Sequence, residues 1–106
     1  MYIAMNRFPV DLGREDEFET VWRTRDSYLD EVDGILDFRL LRGSPGDEAT
    51  TFVSHSTWAS EAAFKAWTES EAFIKAHRQA RMPEGLVLSH PQFEGYDVVD
   101  LSSSAS

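Results

Sequence analysis

Apart from Asn6 and Arg7 the stretch from Tyr2 to Val10 is apolar, and it reads as a β-strand ending near Pro9, where a ladder donor is lost. Alternation places Tyr2, Ala4, Asn6 and Phe8 on one face and Ile3, Met5 and Arg7 on the other. After Asp11-Leu12-Gly13 the period changes. Phe18, Val21, Trp22, Tyr28, Leu29 and Val32 recur at helical spacing, predicting a helix over 14–32 with an acidic first turn (Glu15, Asp16, Glu17) at the positive end of its dipole. Gly34 supplies the stop. Ile35–Arg42 and Thr50–Trp58 read as two strands, and the turn formers of Gly43-Ser44-Pro45-Gly46-Asp47-Glu48 predict a hairpin between them. Ser60 followed by Glu61 marks an N-cap. Thr68 and Glu71 have capping-box spacing, which predicts a break near Thr68 and a new helical piece carrying Phe73 and His77 on one face. Phe93–Leu101 is the last predicted strand.

The order β-α-β-β-α-β is that of an α+β, ferredoxin-like sandwich: an antiparallel sheet with both helices on one face. Residues 1–101 form a single domain, and the terminal serine-rich 102–106 has nothing to bury and is expected to be a mobile tail. The mixed face of Ile3, Met5 and Arg7 suits partial burial against a second copy of the chain.

Composition narrows the chemistry. With 106 residues, 42% of them apolar and 12% aromatic, the chain can build one core. Its net charge of −9 argues against a nucleic-acid partner and against an anionic membrane surface. The absence of cysteine excludes disulfides, thiolate metal sites and cysteine nucleophiles. No run is long enough to span a bilayer and no export signal opens the chain, so the expected location is cytoplasmic.

Three residues stand out. His77 near the end of the second helical region is either a neutral imidazole available to iron or a side chain complementing the helix dipole. Trp67, at helical spacing from Phe64, is either core or the wall of a cofactor site. Asn6 puts an amide on a face that should be buried, so it must bond either a backbone carbonyl or a polar atom of a ligand. Lys75, Arg78 and Arg81 surround His77 and could meet anionic groups or the helix C-terminus. His55 and His90 lack any partner at metal-site spacing, the Ser-His combinations lack a nucleophile-elbow context, and there is no glycine-rich phosphate loop. The acidic residues 15, 16, 17 and 19 read as a solvated helix face.

Val10 to Phe18 with Gly13-Arg14-Glu15, then Trp22, then Val32-Asp33-Gly34, resembles the antibiotic biosynthesis monooxygenase superfamily. Phe64-Lys65-Ala66-Trp67 through Phe73-Ile74-Lys75-Ala76-His77 resembles the IsdG-type haem-degrading monooxygenases of that superfamily, and Asn6 falls where they place an asparagine on the first strand. The resemblance implies a homodimeric α/β barrel with one haem per chain, haem being both cofactor and substrate. It makes His77 the axial iron ligand, Asn6 a hydrogen-bonding partner on the opposite side, and Trp67 the residue pressing the porphyrin out of plane. It also implies O2 as co-substrate, an external electron donor or reductase, and release of iron. Two other readings stay open: a cofactor-independent monooxygenase acting on a phenolic or polyketide-like substrate, and a non-catalytic ligand-binding dimer. The stretch from Arg81 to His90 matches no motif of the family, and is expected to be a mobile flap.

Overall fold

The computed structural model describes residues 1–24, 32–71, 73–75 and 82–101. Its elements are β1 (Tyr2–Asp11), α1 (Glu15–Thr24), β2 (Ile35–Pro45), β3 (Ala49–Trp58), α2 (Glu61–Thr68) and β4 (Gln92–Asp97). The four strands form one sheet in the order β2-β3-β1-β4, every neighbouring pair antiparallel. This is the ferredoxin-like α+β fold that the element order implies. The predicted helix over 14–32 is described as far as Thr24, while Tyr28 and Leu29 lie outside the described residues, as do His77, Arg78, Arg81 and the tail 102–106.

Alternation in β1 is realised as the sequence reads. Tyr2, Ala4 and Val10 are buried beneath the helices, whereas Arg7 is exposed on the other face. In β3 the same period buries Thr50, Phe52, Ser54, Ser56 and Trp58. The helix-facing side holds two separate apolar clusters. One gathers Val10, Phe18, Phe52 and Leu86 under α1, with Phe8, Val21, Trp22 and Leu40 packed against it. The other gathers Tyr2, Ala4 and Trp58 under α2, with Val32, Ile35, Ala63, Phe64 and Trp67 against it.

Local chemistry fixes the connections. Gly34 adopts φ +87°, a left-handed conformation that favours glycine, and a Cβ there would come within 2.7 Å of Ala63 Cβ. The turn therefore lets α2 approach closely. Ser60 caps α2 by accepting the Ala63 N–H at 3.1 Å. The break after Thr68 is present, but Ser70, not Thr68, caps the next turn of helix. Ser70 Oγ accepts the Phe73 N–H at 3.2 Å, while Thr68 Oγ1 donates back to the Lys65 carbonyl at 2.7 Å. Ser70 Oγ also donates to the Trp67 carbonyl at 2.6 Å, so a single hydroxyl closes α2 and opens the next turn.

Two further expectations are corrected. The segment 82–88 is not a free flap. Leu86 is fully buried in the first cluster, its carbonyl accepts the Asp11 N–H at 2.9 Å, and the Leu88 N–H donates to the Pro9 carbonyl at 2.8 Å. Arg14 adds a bond from Nη1 to the Glu84 carbonyl at 3.1 Å. Nor is the acidic turn wholly solvated. Glu15 is 9% exposed and accepts a 2.7 Å hydrogen bond from Thr50 Oγ1. Asp16 and Glu19 pair with Arg42, and Glu17 pairs with Arg14.

Candidate active site

Between the two clusters runs one row of neighbouring side chains across the sheet. Register pairs Leu40 with Ser54, Ser54 with Asn6, and Asn6 with Phe93. All four lie on the helix-facing side, since they stand in step with the buried positions of their strands. The row's ends are tied to opposite clusters. Leu40 packs with the first, and Phe93 stacks on Phe64 of the second at 5.6 Å and 11°. Its middle, Ser54 and Asn6, belongs to neither.

The polar groups of this middle are unusual. Asn6 is half-buried, and its amide makes no hydrogen bond among the described residues. Ser54 is 7% exposed, and its hydroxyl likewise has no partner among them. Ser56 Oγ donates to the Ala4 carbonyl at 3.2 Å and accepts from Trp58 Nε1 at 2.9 Å. Ser54 was passed over by sequence reasoning, although the period of β3 already assigns it to the buried face.

Trp67 forms one wall. Its ring lies 5.4 Å from Trp58 and 4.8 Å from Phe73, the latter edge-on at 89°. Its indole Nε1 is buried and has no hydrogen-bond partner among the described residues, a donor turned into apolar surroundings. Trp67 connects to Asn6 through Phe64 and Phe93, so both face the same side of the sheet. Toward α1 the row opens into a pocket of about 340 Å³ lined by Glu19, Trp22, Arg23, Phe38, Leu40, Arg42 and Phe52. There Trp22 stacks on Phe38 at 5.8 Å and 26°, and Arg42 lies over the Phe52 ring. This pocket lies at the Leu40 end of the row, not between Asn6 and Trp67. We place the candidate site on the row itself, where polar groups lack partners among the described residues, with the pocket as its extension toward α1.

His77 lies outside the described residues, so its place relative to Asn6 and Trp67 is not given by the fold. Lys75 is exposed. His55 sits on the opposite face of the sheet, beside Met5 and Arg39, and its Nδ1 is buried without a partner among the described residues. His90 is exposed. No group of three or more His, Asp or Glu side chains able to hold a metal ion occurs among the described residues. The aromatic surface of Phe64, Trp67 and Phe93 beside polar groups that have no partner among the described residues suits a large flat apolar ligand that offers a few acceptors. Those are the properties of a porphyrin, and the described residues fit one.

The family model for antibiotic biosynthesis monooxygenases matches residues 1–79. This chain belongs to that family. It is 35% identical over 75 residues to a mycobilin-producing haem oxygenase of Mycobacterium tuberculosis, covering 71% of this chain and 69% of the relative. Among solved structures, it is similar to the haem degrader MhuD of Mycobacterium tuberculosis with two haems bound in its active site, at TM-score 0.71 and 26% identity, covering 93% of this chain and 96% of that one. It shares its fold with SnoaB, a cofactor-independent oxygenase of Streptomyces nogalater, at TM-score 0.65 and 19% identity, covering 93% of each chain. Membership of the family makes the chain a monooxygenase by kinship, and no helix among its described residues is long and apolar enough to cross a membrane.

Proposed function

We propose that this chain is a haem-degrading monooxygenase that opens the porphyrin ring with O2 and external electrons and releases the iron. The observation that carries the reading is the Asn6 amide between two aromatic clusters, without a hydrogen bond among the described residues, in a chain 35% identical to a haem oxygenase. Haem supplies the redox chemistry and is itself the molecule oxidised. The chain's part is to bind, orient and exclude water. Phe64, Trp67 and Phe93 offer aromatic surface to a flat ring. The Trp67 indole, backed by Trp58 and Phe73, has little room to yield and would press on a bound porphyrin. Asn6 would contribute its amide N–H as a donor to the bound ligand. His77 would hold the haem iron through a ring nitrogen.

The polypeptide carries no cysteine for an iron–sulfur centre and no dinucleotide-binding motif, so the electrons come from a separate donor. The active form is a homodimer. The face bearing Ile3, Met5, Val53 and Leu41 is left partly exposed by a sheet that has helices on one side only among the described residues, and a second copy covers it. The setting is cytoplasmic.

Titration of the apo protein with haemin tests this. One haem per chain with a histidine-ligated spectrum, lost in His77→Ala, and ring opening when a reductant is added are the expected results. Failure to bind haem saturably would remove the reading. Oxygen uptake with an anthrone-type substrate and no haem would replace it with the cofactor-independent chemistry of the SnoaB kind. Ligand binding altered by Trp67→Phe and His77→Ala, with no turnover of any substrate, would replace it with a binding module.

A further inference from the structure

We propose that the open face of the sheet is self-complementary, and that two copies pack there with Arg39 of each against the partner's Glu94. The inference rests on the homodimer reading above and adds the orientation of the copies and the contact that fixes it. Register lines up Arg39, His55, Met5 and Glu94 in one row across this face, from β2 to β4. The row has a guanidinium at its β2 end and a carboxylate at its β4 end. Three strand spacings of about 4.8 Å put these ends about 14 Å apart, too far to pair within one chain. Each has a local partner instead. Arg39 Nε donates to Asp37 Oδ2 at 2.8 Å, and the arginine side chain stays 69% exposed. Glu94 pairs with Arg7 and accepts from the Tyr96 hydroxyl at 2.7 Å, and its side chain stays 30% exposed. The Tyr96 hydrogen bond, with the charge of Arg7, holds the Glu94 carboxyl below the usual carboxylate range against burial, which keeps it anionic. A guanidinium has five N–H donors and a carboxylate about four acceptor positions, so both ends of the row have capacity for a second partner.

Two sheets stacked face to face lie about 10 Å apart with their strands nearly aligned, a span that a facing arginine and glutamate can bridge. A two-fold axis can relate such a pair in two ways. With the axis along the row, β2 covers β2 and β4 covers β4, which sets Arg39 on the partner's Arg39 and Glu94 on the partner's Glu94. With the axis along the strands, midway between β3 and β1, each end of the row meets the opposite charge. Like charges meeting at both ends disfavour the first arrangement, and the second is complementary at both. It also closes Ile3, Met5, Val53 and Leu41, partly exposed on one chain, between the copies.

Sedimentation velocity tests the contact. The unsubstituted chain should sediment as a dimer. Arg39→Glu and Glu94→Arg should each weaken self-association roughly 100-fold or more, because the two-fold axis repeats every like-charge contact. An equimolar mixture of the two variants should dimerise again, since only the mixed pair restores opposite charge at both contacts. Repulsion inside each chain, from Asp37 or from Arg7, is the same before and after mixing, so recovery on mixing reads the contact between copies. Circular dichroism checks that each variant folds. Glu94→Gln serves where Glu94→Arg does not: its mixture with Arg39→Glu should associate more tightly than Arg39→Glu alone, because one contact of the two is restored. Unchanged self-association of Arg39→Glu, or a mixture no tighter than its components, would overturn the pairing and leave the homodimer intact. An unsubstituted chain that sediments as a monomer would overturn both, and is told apart in the first run.

Discussion

Replacing Leu86 by alanine tests how firmly the segment after the second helical region is built into the core. The side chain is fully buried among Val10, Phe18 and Phe52. Its truncation removes three carbons, worth about 2.4 kcal/mol at roughly 0.8 kcal/mol each. It also leaves a void between two rigid rings, and the added cavity cost brings the expected loss to about 3–4 kcal/mol, within the range of buried leucine truncations. A chain of this length has about 5–16 kcal/mol of total stability, at roughly 0.05–0.15 kcal/mol per residue, so the loss is a large share of it. Urea unfolding followed by tryptophan fluorescence and circular dichroism should show a lower midpoint with an unchanged slope. Leu86→Met should cost under about 1.5 kcal/mol, and Leu88→Ala, at a position 49% exposed, under about 1 kcal/mol. A loss below about 1 kcal/mol for Leu86→Ala would refute the insertion of this leucine and return the segment to the mobile flap that its sequence suggests.

Two other expectations concern the frame around the site. The hydrogen bond from Thr50, helped by backbone N–H groups and by the charge of Arg42, holds the Glu15 carboxyl below the usual carboxylate range against the opposing effect of burial. Because the folded-state pKa is depressed, the stabilisation is present above the ordinary carboxylate pKa and is lost as pH falls through the folded value. The stability gap between the unsubstituted chain and Thr50→Val should therefore be widest near neutrality and narrow on acidification, and a gap constant from pH 7 to about pH 3 in urea titrations would contradict it. Gly34→Ala forces a side chain into φ +87° and against Ala63, and should cost about 1–3 kcal/mol in thermal unfolding. Adding Ala63→Gly should recover the steric part only, and full insensitivity to Gly34→Ala would show the turn to be different.

The local periods carried far. The alternation of β1 was enough to put Asn6 under the helices with Tyr2 and Ala4, and Ser60, Gly34 and the break after Thr68 were legible from residue type alone. Such features depend on a few neighbouring residues and on backbone geometry, which a linear sequence contains. Element order also fixed the sandwich, because few ways of packing β-α-β-β-α-β cover an antiparallel sheet.

What the sequence left open depends on partners far apart in the chain. A glutamate in a first helical turn reads as solvent-facing, and only the packing of α1 over β3 buries Glu15 onto Thr50. Leu86 stands in a stretch without periodicity, and its burial depends on a hole whose walls come from Val10, Phe18 and Phe52. The same holds for the site. By itself the sequence determined that Asn6 and Trp67 belong to helix-facing, aromatic-rich elements. Only the tertiary structure decided that the core divides into two clusters with Asn6 and Ser54 between them. That division is set by how two helices sit across one sheet, and no local pattern of residues encodes it.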